Sequence, residues 1–218
     1  VGTKTDEQGN IHFVYDKLPV DGATFILEAD EDIYSADNQK DLIYSKGQKI
    51  EELTTENGYA ISKDLPLGKY SIYEKTAGDG FILNKEVKHI ELKYENETVP
   101  IVFENIDYEN QRQKVDLNVI KKDKETDTLL KGAVFGLYAS EDIYGIENDT
   151  RSMTLLIEKG TLIETATTDE NGKAVFHADL PINATFESKE IKAPIGYARR
   201  DTVIYIDTKY QGKTKEVI

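Results

Sequence analysis

The 218-residue sequence contains no cysteine, no tryptophan, a single methionine and only five prolines. Without cysteine there is neither a disulfide framework nor a thiolate metal site. If such a protein works outside the cell, its stability must come from something other than disulfides. No apolar run approaches the ~18–20 residues that a helix needs to cross a bilayer. No signal peptide or sorting tail is visible either, which reads as a cut-out of something longer. Basic charge is also scarce: 27 Lys and Arg face 41 Asp and Glu, for a net charge of −14. That balance argues against nucleic acid and against an anionic membrane surface, both of which call for a basic stripe. His12, His89 and His177 show no ligand spacing, so neither a metal nor a cofactor is expected. There is no Ser-His-Asp set, phosphate loop or dinucleotide fingerprint, which leaves a turnover enzyme the least favoured class.

What the sequence does contain, it contains twice. Gly22-Ala23-Thr24-Phe25-Ile26-Leu27 is matched by Gly132-Ala133-Val134-Phe135-Gly136-Leu137, and Glu31-Asp32-Ile33-Tyr34 recurs unchanged as Glu141-Asp142-Ile143-Tyr144. Thr54-Thr55 with Asn57-Gly58 returns as Thr167-Thr168 with Asn171-Gly172, and Tyr94 answers Tyr210. A repeat at this spacing means two copies of one unit. They span residues 1–108 and 114–218, with a polar junction over residues 107–114 and the last strand of the second copy incomplete. Short alternating runs between turn signals predict strands, and Asn-Gly predicts hairpin turns that need positive φ. The expected fold is all-β: two tandem domains of about 100 residues each, each a β-sandwich or barrel and large enough for an independent core. The irregular stretches after Ile33 and Ile143 leave room for a short helical turn.

The longest shared stretch runs from Leu65 to Phe81 and from Leu180 to Tyr197: a Leu-Pro, an alternating run, a Glu, then a Gly-aromatic pair. Side chains on a strand alternate between faces. Tyr70, Ile72 and Glu74 therefore share a face, as do Phe186, Ser188 and Glu190. A carboxyl in line with core aromatics is costly unless paired or protonated, so each acid calls for a partner. In the second copy the stripe Val115, Leu117, Val119 continues to Lys121; in the first, Lys4 is taken as its counterpart. The stretch Ile101, Phe103, Asn105 adds an amide in line with the first core. A desolvated Lys is a nucleophile, a neutral acid can shuttle a proton, and proximity makes the step intramolecular. The product would be an amide between Lys4 and Asn105, with ammonia lost.

These motifs resemble a known family. The stretches YSIYEKTAGDGF and FESKEIKAPIGY are similar to the E-box of Gram-positive pilins, YxLxETxAPxGY. With Lys-x-Asp near the start, Gly-Ala-x-Phe after it and Leu-Pro before the E-box, the chain resembles the B-type repeats of Gram-positive collagen adhesins, also called SpaA-like prealbumin-like domains. The resemblance implies two tandem immunoglobulin-like/prealbumin-like β-sandwich domains with intramolecular Lys–Asn isopeptide bonds assisted by an acid. Carried over residue by residue, the roles fall on Lys4, Glu74 and Asn105 in the first copy, and on Lys121 and Glu190 in the second. Its acceptor is expected about three residues beyond Ile218.

A bond closing a loop of this size would restrain the unfolded chain by ~4–5 kcal/mol, as a disulfide does. The expected role is that of structural stalk or pilin-like domains of an extracellular, cell-wall-anchored bacterial surface protein, with anchor and signal outside this stretch. The expected partners are the neighbouring domains of the same protein. The runner-up is an adhesin module that contacts host extracellular matrix or glycan through its loops, a host matrix protein then being the partner. No nucleic acid and no membrane contact by these domains is expected.

Overall fold

The computed structural model describes residues 1–35, 41–94, 104–146 and 152–218. Every regular element in these residues is a strand. The chain opens with β1 (Gly2–Thr5) and β2 (Ile11–Val14). The first repeat continues with β3 (Thr24–Ala29), β4 (Ile33–Tyr34), β5 (Leu42–Tyr44), β6 (Lys49–Thr54), β7 (Gly68–Thr76) and β8 (Val87–Leu92). The second contributes β9 (Leu117–Ile120), β10 (Val134–Ala139), β11 (Ile143–Ile146), β12 (Met153–Ile157), β13 (Leu162–Thr167), β14 (Lys173–Phe176), β15 (Thr185–Lys192) and β16 (Val203–Asp207).

The two repeats build the same four-stranded antiparallel sheet, in the order β6-β3-β7-β8 and again β13-β10-β15-β16. Even the irregularities recur. The register slips between Thr24 and Phe25 against β7, and between Val134 and Phe135 against β15. Such bulges twist a strand and re-aim its side chains, and here each lies beside the Glu of interest: Phe25 pairs with Glu74 and Phe135 with Glu190.

A buried threonine ties three loops in the same way. Thr55 Oγ1 accepts from Ala23 N and donates to the Val20 carbonyl. Thr168 does this with Ala133 N and Leu130, and Thr208 with Ala184 N and Pro181. The expected hairpin turns differ from each other. Asn57 and Gly58 both have positive φ, as a two-residue primed turn requires. At the second site only Gly172 does, because the Asp169 carboxylate holds Asn171 N and Lys173 N in a longer turn. Where a helical turn was expected, residues 36–40 and 147–151 lie outside the described residues, and their described flanks are strands, β4 with β5 and β11 with β12.

The chain divides into two compact units, and these do not follow the repeat boundaries. One contains Val1–Lys17, Gln113–Gln211 and Val217–Ile218; the other contains Leu18–Arg112 and Gly212–Glu216. The hairpin β1–β2 thus belongs with the second repeat. Phe13 is buried in that repeat's core, edge-on to Phe186, and the Tyr15 hydroxyl donates to the Asp179 carbonyl. The core of this unit is one cluster around Phe135, Leu137, Ile163, Leu180 and Phe186. The core of the other unit is split, one part around Leu27, Ile33 and Tyr70, the other around Ala23, Phe25 and Leu53.

The polar junction is not a loose linker at its first end. Tyr108 packs against Phe25 with the rings tilted by 52° and their centroids 4.8 Å apart, and its hydroxyl donates to the Ile72 carbonyl. Lys88 Nζ donates to the Asp107 carbonyl and Ile82 N to the Gln111 carbonyl. The segment is docked by its aromatic ring and its backbone.

Candidate functional site

In the second repeat, alternation along β9 carries Val115, Leu117, Val119 and Lys121 toward the interior while Asp116, Asn118 and Ile120 face out. β9 pairs with β14, and Lys121 N then donates to the Gly172 carbonyl, which fixes the lysine backbone at the turn. From there Lys121 Nζ reaches to 2.8 Å from Glu190 Oε1, the side chains being only 15% and 3% exposed. The contact is close but not aligned as a hydrogen bond, and Oε1 has no other hydrogen-bond partner among the described residues. The second oxygen, Oε2, accepts from Arg200 N at 2.9 Å. Two residues before Glu190 on the same face, the Ser188 hydroxyl is buried and has no hydrogen-bond partner among the described residues.

The end of the chain lies beside this strand. Val217 bridges Lys114 in parallel, Ile218 N donates to the Lys114 carbonyl, and Asp116 N donates to the Ile218 carbonyl. The final residues therefore run in the same direction as the strand that leads to Lys121.

Among the described residues, the first repeat reproduces the acid and its backbone donor but not the amine. Glu74 is buried, and Asn84 N, ten residues on as Arg200 is from Glu190, donates to its Oε2 at 2.6 Å. The side chain at its carboxylate is Asn110, whose Nδ2 lies 2.8 and 2.9 Å from the two oxygens and also donates to the Ile82 carbonyl.

The expected set of Lys4, Glu74 and Asn105 is therefore corrected. Lys4 is exposed on β1, opposite His12, in the unit built on the second repeat. Asn105 is exposed, and Ile101 and Phe103, expected to share its face, lie outside the described residues. The physical reason lies in the hairpin. Asp6 accepts from Gln8 N and Asn10 N and closes a tight turn, which places Lys4 on a short two-stranded ribbon and not on a core strand. The signal that would have found this is the stripe Ile11-x-Phe13-x-Tyr15, which matches Leu117-x-Val119-x-Lys121 better than Lys4 does. At the lysine position the first repeat carries tyrosine.

Sequence reading also missed Glu164. It is buried, and its carboxylate accepts from His177 N and Ala178 N. In the first repeat Glu51 takes Lys63 N in the same manner. Both glutamates lie across from the matched leucines Leu27 and Leu137, so the duplication itself held the clue.

The family described as "SpaA: Prealbumin-like fold domain" matches residues 2–107 and again 115–218. The chain belongs to this family. SpaA-type domains are all-β, and two of them stand here in tandem. Among solved structures, the Bacillus anthracis TIE protein is similar over 93% of this chain, with 26% identity and a TM-score of 0.59. This chain spans only 31% of that one. The C-terminal fragment of the pilus adhesin SpaC from Lactobacillus rhamnosus GG is 17% identical over 86% of this chain and 73% of its own, with a TM-score of 0.41. The shaft pilin SpaA of the same organism is 17% identical over 94% of this chain and 91% of its own, at 0.32. No curated protein matches the chain.

Proposed function

We propose that these are structural, pilin-like domains of an extracellular, cell-wall-anchored bacterial surface protein, and that the second domain is locked by an amide bond formed by Lys121. The observation that carries this reading is the shielded Lys121–Glu190 pair, 2.8 Å apart, on a strand that the end of the chain already accompanies in parallel. Transfer of one proton from Nζ to Oε1 would turn the ion pair into a neutral amine and a neutral acid, the pair that nucleophilic attack on a carboxamide requires. Attack forms the Nζ–Cγ bond, the acid protonates the leaving nitrogen, and ammonia departs. The acceptor is assigned to the first few residues that follow Ile218 along the same parallel path. Such a bond would join the first and last strands of the domain, so tension would bypass the chain between them. This is single-event chemistry without turnover.

The experiment is a comparison of heat and protease resistance. A chain extended past Ile218 by its natural continuation should keep its second repeat intact in trypsin and near boiling. Lys121→Ala should unfold and be cut like an ordinary domain. Equal sensitivity of the two chains contradicts the lock.

One observation favours an adhesive role. On β11 and β12 the cross-strand pairs Tyr144–Leu155 and Ile146–Met153 leave four apolar side chains exposed. Contiguous exposed apolar surface marks interaction sites. Replacing Tyr144 and Met153 by Ser should leave stability unchanged and abolish binding to host matrix protein if this face is adhesive.

A further inference from the structure

The segment Asn57–Pro66 aligns with Asn171–Pro181, so Tyr59–Ser62 is the counterpart of β14. In the second repeat β14 is covered by β9, with Phe176 opposite Leu117, Ala174 opposite Val119 and Lys173 opposite Ile120. Among the described residues no strand covers this segment in the first repeat. Ala60 is exposed, whereas its counterpart Ala174 is fully buried. Among the described residues the backbone of Ala60 and Ile61 makes no hydrogen bond. The turn tells the same story. A Cβ added at Gly172 would first meet the Lys121 carbonyl oxygen, at 2.6 Å; at Gly58 the nearest atoms all belong to Pro19. The strand that should cover this edge, Ile11–Val14, lies in the other unit with Phe13 buried there.

The acid repeats the pattern. Glu190 has a cation at 2.8 Å, whereas no cation lies within ion-pair distance of Glu74 among the described residues. Asn110 and Asn84 satisfy it with neutral donors only. Among the described residues, an open strand edge and a buried carboxylate without a counter-charge thus occur in the same repeat, and in its twin one strand answers both.

We propose that the edge Tyr59–Ser62 of the first repeat is a docking site for an extended strand from another chain, with alternating apolar side chains followed by a lysine. The incoming strand pairs antiparallel with Tyr59–Ser62, as β9 does with β14, and sets its apolar side chains against the split core around Phe25 and Leu53. Two residues after the second apolar side chain, its lysine reaches Glu74, which supplies the charge complementarity. The chemistry of the occupant is read from β9 itself. The tyrosine of the chain's own stripe, Tyr15, cannot supply that charge. The inference does not rest on the amide bond proposed for Lys121.

The test uses the full chain and a labelled peptide with the sequence of residues 115–123, VDLNVIKKD, followed by fluorescence anisotropy. The expected result is saturable binding that weakens by about tenfold or more when the peptide lysine at position 121 is replaced by alanine. Glu74→Gln in the protein should do the same. Ala60→Pro should abolish binding by removing the backbone donor that pairs with the incoming strand, and because Ala60 is exposed this variant keeps its fold whether or not Glu74→Gln does. Three results overturn the proposal. One is absence of binding. Another is binding indifferent to Ala60→Pro, which places the peptide elsewhere. The third is tighter binding of a peptide with the sequence of residues 11–17, IHFVYDK, which returns the edge to the chain's own strand.

Discussion

Lys121 Nζ and Glu190 Oε1 stand 2.8 Å apart inside the second repeat, on side chains that are only 15% and 3% exposed. Burying two charges costs several kcal/mol each, and their attraction repays this only while both are present. Removing one partner is therefore worse than removing both. Lys121→Ala or Glu190→Ala alone should destabilise the domain by roughly 3–5 kcal/mol. The double variant Lys121→Met with Glu190→Leu should recover most of that loss. Urea denaturation followed by circular dichroism measures the difference; equal losses in the single and double variants would show that the ion pair is not what is at stake.

The loop-tying threonines give a second expectation. Thr168 is buried and its hydroxyl serves both Ala133 N and the Leu130 carbonyl. Thr168→Val keeps the shape but strands a buried backbone donor, at a cost of roughly 1–3 kcal/mol. Thr168→Ser should cost less, since it keeps the hydroxyl. Denaturant midpoints of the two variants decide the point.

Tyr70 and Phe186 occupy the same position in the two repeats, and only the tyrosine has a hydroxyl to place. That hydroxyl donates to the Pro66 carbonyl at 2.5 Å, and burial pushes its pKa up to about 12. A folded pKa raised above the ordinary ~10 means stability that is complete below pH 10 and fades as pH rises through 12. Tyr70→Phe should cost about 1 kcal/mol at neutral pH and flatten the alkaline limb of stability for the first repeat. A spectrophotometric tyrosine titration with parallel melts tests this.

At the acid end the sensitive group is Asp6. Its contact with the His12 ring, helped by Asn10 and Gln8, holds the carboxyl down at about 2. A depressed carboxyl pKa contributes stability above the ordinary ~4 and loses it as pH falls toward 2. The β1–β2 turn should therefore loosen over pH 4 to 2 in the native chain. In Asp6→Asn this acid dependence should vanish, as read from amide exchange at Gln8 and Asn10.

The duplication, the all-β class and the inward-facing Glu74 and Glu190 were legible because each rests on spacing along one strand. Alternation is local, and it places Phe186, Ser188 and Glu190 on one buried face without any knowledge of neighbours. Lys121 was legible for the same reason, as the next residue on an apolar stripe. Lys4 was not, because the choice between it and the Ile11-x-Phe13-x-Tyr15 stripe turns on a hairpin closed by Asp6. The partner of Glu74 was hidden too. Asn110 belongs to a stretch with the composition of a linker, and only the docking of Tyr108 on Phe25 brings it to the acid. Which unit the β1–β2 hairpin joins is a matter of long-range packing, on which periodicity is silent.

The most direct measurement is the intact mass of a chain extended past Ile218 by its natural continuation. The account predicts a mass one ammonia below that of the sequence. It also predicts the full sequence mass in Lys121→Ala and Glu190→Ala. An extended chain that weighs what its sequence weighs, or a Glu190→Ala variant that still loses ammonia, contradicts it.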